Sequence, residues 1–415
     1  MTDKEEDNEE IKLVLLNNYE DVDNSTTGDD SKNKKIDNNI IERRKTKRER
    51  LYWVDCLRIL ASYFVIFIHC TDLDHQRKME LFSGEWNVFY FYYCVLKPCV
   101  PLFIMISGLL FLDPTRDVSL KTLYKKSIPR LLKNFFFWST YYSIVDKCFV
   151  NIRNDDNKLN WGLVSRITKG IFNAKYANHL WYIHFCLGIY MFTPIYRELI
   201  PNKTLAWYTA AVSCICYHFI PTVCEVLIRF TSIGVVGEVV RSFLNALRLY
   251  PFTGCLTYFM FGYLLNTTVF KKRWHIYIFY VIGIAGFFLT PILVISVCRQ
   301  ENKKLRVFGD YMNFNVCMET VGIFMFFKYT LNKYLTELMK KRHIIKRIIT
   351  TLSDCSFGIY LIHYHIYHIL IKLHFHVHSF GFPILFLPLY SLIIFIICFV
   401  IIFLLRKIRI FKQFT

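Results

Sequence analysis

The sequence predicts an all-α integral membrane protein with about ten transmembrane helices and both termini in the cytosol. Of its 415 residues, 54% are apolar, 18% are aromatic and only 20% are charged, and the mean hydropathy is +0.30. A soluble domain contains fewer apolar residues than this. The composition amounts to roughly 220 apolar residues, which is what ten bilayer-spanning helices of about 20 residues each would use.

Ten apolar segments follow one another along the chain and contain most of these residues. They are residues 53–71, 88–112, 131–150, 180–200, 205–224, 249–267, 274–297, 314–332, 355–373 and 383–405. Each segment is about long enough for a helix to cross the hydrocarbon core of a bilayer. No repeat with a period of about 20–50 residues is visible, which argues against a solenoid or a propeller.

The distribution of charge predicts the orientation of the chain in the membrane. Lys and Arg total 51 against 32 Asp and Glu, which gives a net charge of +19. The basic residues form short clusters between the apolar segments, as the positive-inside rule expects of cytosolic loops, whereas a nucleic-acid-binding surface would not be interrupted by apolar runs. We therefore expect membrane lipids as partners and no nucleic-acid partner.

One membrane domain and two tails are predicted. Residues 1–50 are acidic and Asn-rich up to about Asn39 and strongly basic afterwards, which is typical of a disordered cytosolic tail. Residues 51–405 carry the apolar segments, and residues 406–415 form a short basic cytosolic tail. The 14 cysteines are scattered without a CxxC pair or a Cys/His spacing suited to zinc, so we expect no metal site.

Ionisable residues in the first apolar segment give the strongest local indication of a functional site. A charge inside a membrane span costs about 3 kcal/mol on insertion scales, so its presence usually has a function. At about 100° per residue, Asp55, Arg58, Ser62 and His69 lie at roughly 0°, 300°, 340° and 320° around the helix axis. These four residues therefore share one face of the first helix.

Two interpretations of this polar face are open. In one, Asp55 and Arg58 form an i,i+3 ion pair at the cytosolic interface, and His69 has no special role. In the other, the face lines a polar cavity, with the guanidinium of Arg58 near the cytosolic end and the imidazole of His69 about 16 Å further along the helix. The second arrangement suits a large anionic donor that enters from the cytosol and a base that acts deeper in the membrane.

Five segments, in order along the chain, resemble those of a known family. The first contains Asp55, Arg58 and His69, with ten residues between the arginine and the histidine, and the others are residues 99–112, 125–138, 179–199 and 354–367. Together they resemble the membrane-bound acyltransferase 3 family, and the fourth and fifth are similar to its bacterial O-acetyltransferases. The resemblance covers residues 51–405 and implies a core of ten helices.

The resemblance implies transfer of an acyl group, usually acetyl from acetyl-CoA, to a hydroxyl of a carbohydrate, glycolipid or other lipid-linked acceptor. It implies that His69 is the catalytic histidine, with Arg58 and Asp55 as the other residues of the catalytic motif. A neutral imidazole would take the proton of the acceptor hydroxyl as that hydroxyl attacks the thioester; alternatively, His69 would itself be acylated first. Acetyl-CoA or another acyl-CoA is then a co-substrate, and no tightly bound cofactor is expected.

Basic residues at and before the third segment are candidates for binding the phosphates of the donor. We select Arg58, Lys126 and Arg130, because the planar guanidinium of Arg binds phosphate through two hydrogen bonds and Lys supplies a mobile charge. The alternative for Lys126 and Arg130 is ordinary anchoring of a cytosolic loop at the membrane surface.

Three residues in later segments are candidates for binding the acceptor. His363 matches a histidine of the family's late helix, Trp181 offers an aromatic surface for a sugar, and Glu319 is a lone charge inside a span. Alternatively, His363 is a hydrogen-bonded core histidine and Trp181 belongs to an aromatic belt at the membrane interface. Lys97 lies beside Pro98 within the second segment, where it either lines a cavity or extends to the membrane face.

The alternative from another functional class is a multispan transporter of lipids or acyl sugars without transferase activity. Such a protein would use the same charged stripe as a path across the membrane. No inverted repeat and no matching pair of Gly/Pro-broken short spans is visible in the two halves, which disfavours this alternative. A third hypothesis passes the acyl group across the membrane to an acceptor outside. We expect the protein in the plasma or inner cell membrane, or in an internal membrane of a eukaryotic cell.

Overall fold

The computed structural model describes residues 50–71, 79–150, 178–249, 254–375 and 382–414. All regular secondary structure within these ranges is helical, in agreement with the predicted all-α class. The chain divides at Arg50 into two units, and the account that follows concerns the second, Leu51–Thr415. The predicted tail 1–50 lies outside the described residues except for Arg50.

The α-helices of ten or more residues within the described ranges largely follow the apolar segments. In chain order they are α1 (Tyr52–Cys70), α2 (Gly84–Val95), α3 (Cys99–Phe111), α4 (Ile128–Val150), α5 (Trp181–Leu199), α6 (Lys203–Cys214), α7 (Ile220–Phe230), α8 (Gly234–Ala246), α9 (Gly254–Thr267), α10 (Arg273–Glu301), α11 (Phe314–Phe326), α12 (Asn332–Lys341), α13 (His343–Lys372) and α14 (Pro383–Leu405). Each of the ten predicted segments overlaps at least one of them.

Five stretches of the described residues are both long enough and apolar enough to cross a membrane. They are Tyr52–Cys70, Gly84–Phe111, Lys203–Phe230, Arg273–Glu301 and Pro383–Leu405. The outer face of α10 exposes large apolar side chains, with Val281 65%, Ile284 59% and Phe288 55% exposed, as expected of a surface that contacts lipid. Ten spans and two cytosolic termini remain predictions.

The second predicted segment is divided into α2 and α3. Pro98 precedes the first residue of α3 and has no backbone N–H, so it cannot continue the hydrogen-bond ladder of α2. The turn at residues 96–98 separates the two helices and places Lys97 between them. Lys97 lies at this break, and its side chain is only 7% exposed.

Glycines allow α3 and α9 to pack backbone against backbone. A Cβ atom at Gly108 of α3 would lie 1.8 Å from the carbonyl oxygen of Phe259 in α9, and one at Gly262 would lie 1.9 Å from that of Met105. Close approach of this kind is typical of helix packing in membranes, where small residues replace the missing hydrophobic driving force. The α3–α9 contact fixes one wall of the domain.

The first helix, α1, lies inside the domain. It packs against α3, α13 and α14. Because neighbours surround it, its polar face is buried: Asp55 and Ser62 are 4% and 1% exposed. The Ser62 hydroxyl donates to the carbonyl oxygen of Arg58 in its own helix at 2.9 Å, so it needs no partner from another helix.

Candidate functional site

A cavity of about 690 Å³ lies between α1, α3, α5 and α13. Two of the residues on the polar face of α1, Arg58 and His69, line it. Residues from the loop before α11 and from the start of α4 complete its wall. Its polar lining residues include Lys97, Ser107, Arg130, His179, Tyr190, Arg306, Ser353, Asp354, Tyr360 and Arg406.

One end of the cavity, which we call the arginine end, is formed by Arg58, Arg130 and Arg406. Arg406 donates to the backbone carbonyl of Asp354, which is next in the chain to Ser353. Tyr190 lies within electrostatic range of both Arg58 and Arg130, which places these two guanidiniums near the same side chain. Three cations at one end of the cavity form a site suited to phosphate groups.

Ser353 of α13 connects the two charged residues of α1. Its hydroxyl donates to Oδ1 of Asp55 at 2.6 Å, and it accepts from Nη1 of Arg58 at 3.4 Å. A buried carboxylate requires such donors, because the cost of removing it from water is otherwise not recovered. The Asp55 carboxylate therefore orients Ser353, and Ser353 in turn helps to hold Arg58 at the cavity wall.

The other end of the cavity, which we call the histidine end, contains imidazoles from three elements. The rings of His69 and His363 are 5.1 Å apart between centroids, and those of His363 and His179 are 5.0 Å apart. His363 follows Ser353 by ten positions on α13, a rise of about 15 Å, so the histidine end lies well away from the arginine end. Tyr360 lies beside this cluster, and its hydroxyl donates a hydrogen bond to the backbone carbonyl oxygen of His179.

Backbone carbonyls determine which ring nitrogen carries the proton in two of these histidines. Nδ1 of His363 lies 2.6 Å from the carbonyl oxygen of Tyr360, and Nε2 of His179 lies 3.4 Å from that of Leu361. Since a carbonyl can only accept, both nitrogens carry a proton. Nε2 of His363 and Nδ1 of His179 are buried without a hydrogen-bond partner among the described residues, so two proton-accepting nitrogens lie in the cluster that contacts His69.

The predicted donor-binding residues are only partly brought together. Arg58 and Arg130 both line the cavity. Lys126 is exposed, on the π-helical turn Leu123–Ser127 that leads into α4, and it is not among the lining residues. The placement favours Arg130 over Lys126 as a residue that contacts a ligand in the cavity.

The predicted acceptor-binding residues also differ in position. Trp181 lines the cavity, and its ring stacks on that of Tyr311 at 6.0 Å between centroids. His363 lies behind His69 and is completely buried. Glu319 is 3% exposed on α11, is not among the lining residues, and has one carboxylate oxygen without a partner in the described part of the chain.

Several lining residues were not selected from the sequence. His179 precedes the fourth apolar segment, and its position two residues before Trp181 was the available signal. No such signal exists in the sequence for Ser353, Tyr360 and Arg306, because serine, tyrosine and loop arginine residues are common in membrane proteins. Their presence in the site depends on contacts between helices that are distant in sequence.

Comparisons with known proteins place the chain in a family. No curated protein and no solved structure matches the sequence significantly. A family model described as an acyltransferase domain matches residues 51–404, which is nearly the whole unit that carries the cavity. With its apolar helices, this match makes the protein an integral membrane protein with an acyltransferase domain. The chain therefore belongs to the acyltransferase 3 family, as the resemblance of its five segments predicted.

Proposed function

We propose that the protein transfers an acyl group, with acetyl as the first candidate, from acyl-CoA to a hydroxyl of a carbohydrate, glycolipid or lipid-linked acceptor. Membership of the family supports membrane acyltransferase activity in general. The observation that supports the finer proposal is a single cavity with Arg58 and Arg130 at one end and His69 in the histidine cluster at the other. Donor and acceptor can therefore meet inside one space.

The arginine end suits the donor. The diphosphate and ribose phosphate make acyl-CoA highly anionic, and arginine binds phosphate through paired hydrogen bonds. With these phosphates on Arg58 and Arg130, the pantetheine arm extends along the cavity, and the thioester reaches toward His69, about 16 Å from Arg58 along α1. The wall between them is mainly apolar, including Val65, Ile68 and Phe103.

In the proposed reaction at His69, one proton moves and the carbon–sulfur bond of the thioester is replaced by a carbon–oxygen bond. The imidazole takes the proton of the acceptor hydroxyl, whose oxygen forms a bond to the thioester carbonyl carbon while the carbon–sulfur bond breaks. The departing thiolate takes the proton and leaves as CoA. In the alternative sequence, the nitrogen of His69 attacks the thioester first, and the acyl group moves from His69 to the acceptor in a second step. His363 and His179 would hold the ring of His69 in place in both cases.

A histidine variant tests the proposal. We expect His69→Gln in lipid nanodiscs to lower the release of CoA from acetyl-CoA by at least about 100-fold, because a general base contributes roughly that much or more. The matched control is His275→Gln, since His275 stacks on Trp274 outside the cavity and should leave the rate unchanged.

Two results would contradict the proposal. One is a wild-type protein that neither binds nor consumes any acyl-CoA, and the other is a His69→Gln variant as active as the control. Radiolabelled acetyl-CoA without acceptor distinguishes the two reaction sequences, because only the acylated-histidine route leaves label on the wild-type protein.

A further inference from the structure

Two cations lie together at the cavity wall away from the arginine end. Nζ of Lys97 lies 3.9 Å from the ring centroid of Tyr93, and Cζ of Arg306 lies 4.4 Å from the same centroid. Nζ of Lys97 is also 5.1 Å from the ring centroid of Tyr311. Lys97, Arg306, Tyr93 and Tyr311 all line the cavity, so both positive charges adjoin the space that a substrate would occupy.

Within the described part of the chain, these two charges have no acidic partner. Among the described residues, no carboxylate oxygen lies within 4.0 Å of the side-chain nitrogens of Lys97 or Arg306. Lys97 is 7% exposed, and Nε of Arg306 is buried with no hydrogen-bond partner in the described part of the chain. Burying an ammonium group costs several kcal/mol unless an anion or hydrogen bonds compensate it. The aromatic rings compensate only part of this cost, so an anionic ligand would complete the site.

The loop that carries Arg306 is held in one position. The amide of Asn315 donates to the carbonyl of Phe308 at 2.9 Å, and that of Asn313 donates to the carbonyl of Val307 at 2.8 Å. The Tyr258 hydroxyl donates to the carbonyl of Tyr311 at 2.6 Å. These bonds fix the backbone on both sides of Gly309, where a Cβ would approach the Tyr93 ring to 3.1 Å. The site is thus preorganised, which reduces the entropic cost of binding.

The cation pair adjoins the histidine end of the cavity. Trp181 stacks on Tyr311 and is two residues from His179, whose ring contacts that of His363. Lys97 precedes α3, whereas Phe111 at the other end of α3 packs on Tyr190 near the arginine end. The 13 residues of α3, Cys99–Phe111, span about 18 Å along the helix axis from the first Cα to the last. Donor phosphates on Arg58 and Arg130 are therefore too far away to neutralise Lys97 and Arg306.

We propose that Lys97 and Arg306 bind an anionic group of the acceptor, a carboxylate or a phosphate, while its sugar ring packs on Trp181 and Tyr311. This inference rests on the proposed function and specifies its acceptor class as an acidic glycan or a sugar phosphate. Two cations bind such a group more tightly than either would alone, and the aromatic wall provides a flat apolar surface for a sugar ring. The anion would hold the sugar beside the histidine end, where its hydroxyl can reach His69.

Direct binding tests the inference separately from catalysis. Purified protein in nanodiscs of neutral lipid is titrated by calorimetry with dodecyl glucuronide, dodecyl glucoside and dodecyl phosphate. We expect the wild type to bind at least one anionic probe about tenfold or more tightly than the glucoside, because hydrogen bonds to charged groups contribute roughly 1.5–3 kcal/mol. The two anionic probes distinguish a carboxylate site from a phosphate site.

Variants assign this preference to the two cations. Lys97→Met and Arg306→Gln should remove it, and Lys97→Arg and Arg306→Lys should retain most of it, which shows that a loss is not caused by misfolding. Lys303→Met is the control, because Lys303 is exposed in the same loop and does not line the cavity. Equal or absent binding of the anionic probes by wild type, an unchanged preference in the variants, or a rise in the KM for acetyl-CoA alone would overturn the inference. Acceptor-independent hydrolysis of acetyl-CoA, measured on the same samples, reports separately on the proposed function.

Discussion

Ser353 and Asp55 illustrate how single residues give Arg58 a defined position. The guanidinium of Arg58 has many rotamers in a free helix, and a bond to the Ser353 hydroxyl restricts them. The hydroxyl is in turn oriented by the buried carboxylate of Asp55. The Asp55 carboxylate therefore acts on the position of Arg58 through one intervening side chain, Ser353.

The contrast between Arg130 and Lys126 gives a prediction at this scale. We expect Arg130→Ala to raise the KM for acyl-CoA about tenfold, because it removes a charged hydrogen-bond donor from the cavity wall. Lys126→Ala removes the same charge from a position that does not line the cavity and should change the KM less than about twofold. Steady-state kinetics with acetyl-CoA at fixed acceptor concentration measures both. A larger effect for Lys126 would show that the donor binds outside the cavity.

Helices α3 and α9 act as one packed element because each has a glycine where the two helices approach most closely. Gly108 and Gly262 face the backbone carbonyls of Phe259 and Met105. Ser107, next to Gly108, lines the cavity, so the same stretch of α3 provides both the packing surface and part of the cavity wall. The position of one wall consequently depends on two residues without a side chain.

A glycine substitution tests this packing. Gly108→Ala would place a methyl group 1.8 Å from the carbonyl oxygen of Phe259, so the helices must separate. We expect the variant to lose at least about 1–3 kcal/mol of stability, since overpacking typically costs that much. Gly188→Ala in α5 is the control, because a Cβ there has no atom within 4 Å and should be neutral or slightly stabilising. Thermal unfolding in detergent compares them, and equal melting temperatures would contradict the packing argument.

At the scale of the whole molecule, the exposed surface and the cavity indicate a protein that works within a bilayer. Apolar side chains cover the outer faces of α8, α10 and α14, including Val239, Ile284 and Leu385. The buried core is apolar as well, and charged side chains such as Arg58, Lys97 and Arg306 line the cavity inside it. An apolar outer surface together with charges held at an internal cavity suits helices surrounded by lipid.

The orientation of the molecule is predicted from its loop charges. An even number of spans places both termini on the same side of the membrane. With the termini in the cytosol, the basic clusters fall in cytosolic loops, as the positive-inside rule requires. We therefore expect both termini to face the cytosol. Epitope tags at both ends should then be protected from antibody in intact cells and accessible after permeabilisation. A tag accessible in intact cells at one end would show an odd number of spans.

The local sequence determined those features that depend on neighbouring residues. A span's length and apolarity are local properties, and a helix repeats every 3.6 residues, so the ten apolar segments and the shared face of Arg58 and His69 could be predicted. The family could be predicted as well, since five ordered segments preserve it. The division of the second segment at Pro98 also has a local cause.

Tertiary structure alone decided which distant residues share the cavity. Ser353 lies 298 residues from Asp55, and the ring of His179 meets that of His363 although 184 positions separate them. Lys126 and Arg130 are equivalent in charge, yet only Arg130 lines the cavity. Lys97 and Arg306 converge on the ring of Tyr93 from two separate loops. Such contacts arise from the way whole helices pack, and this packing depends on the shapes of many side chains at once. The periodicity of residues within a single helix carries no information about it.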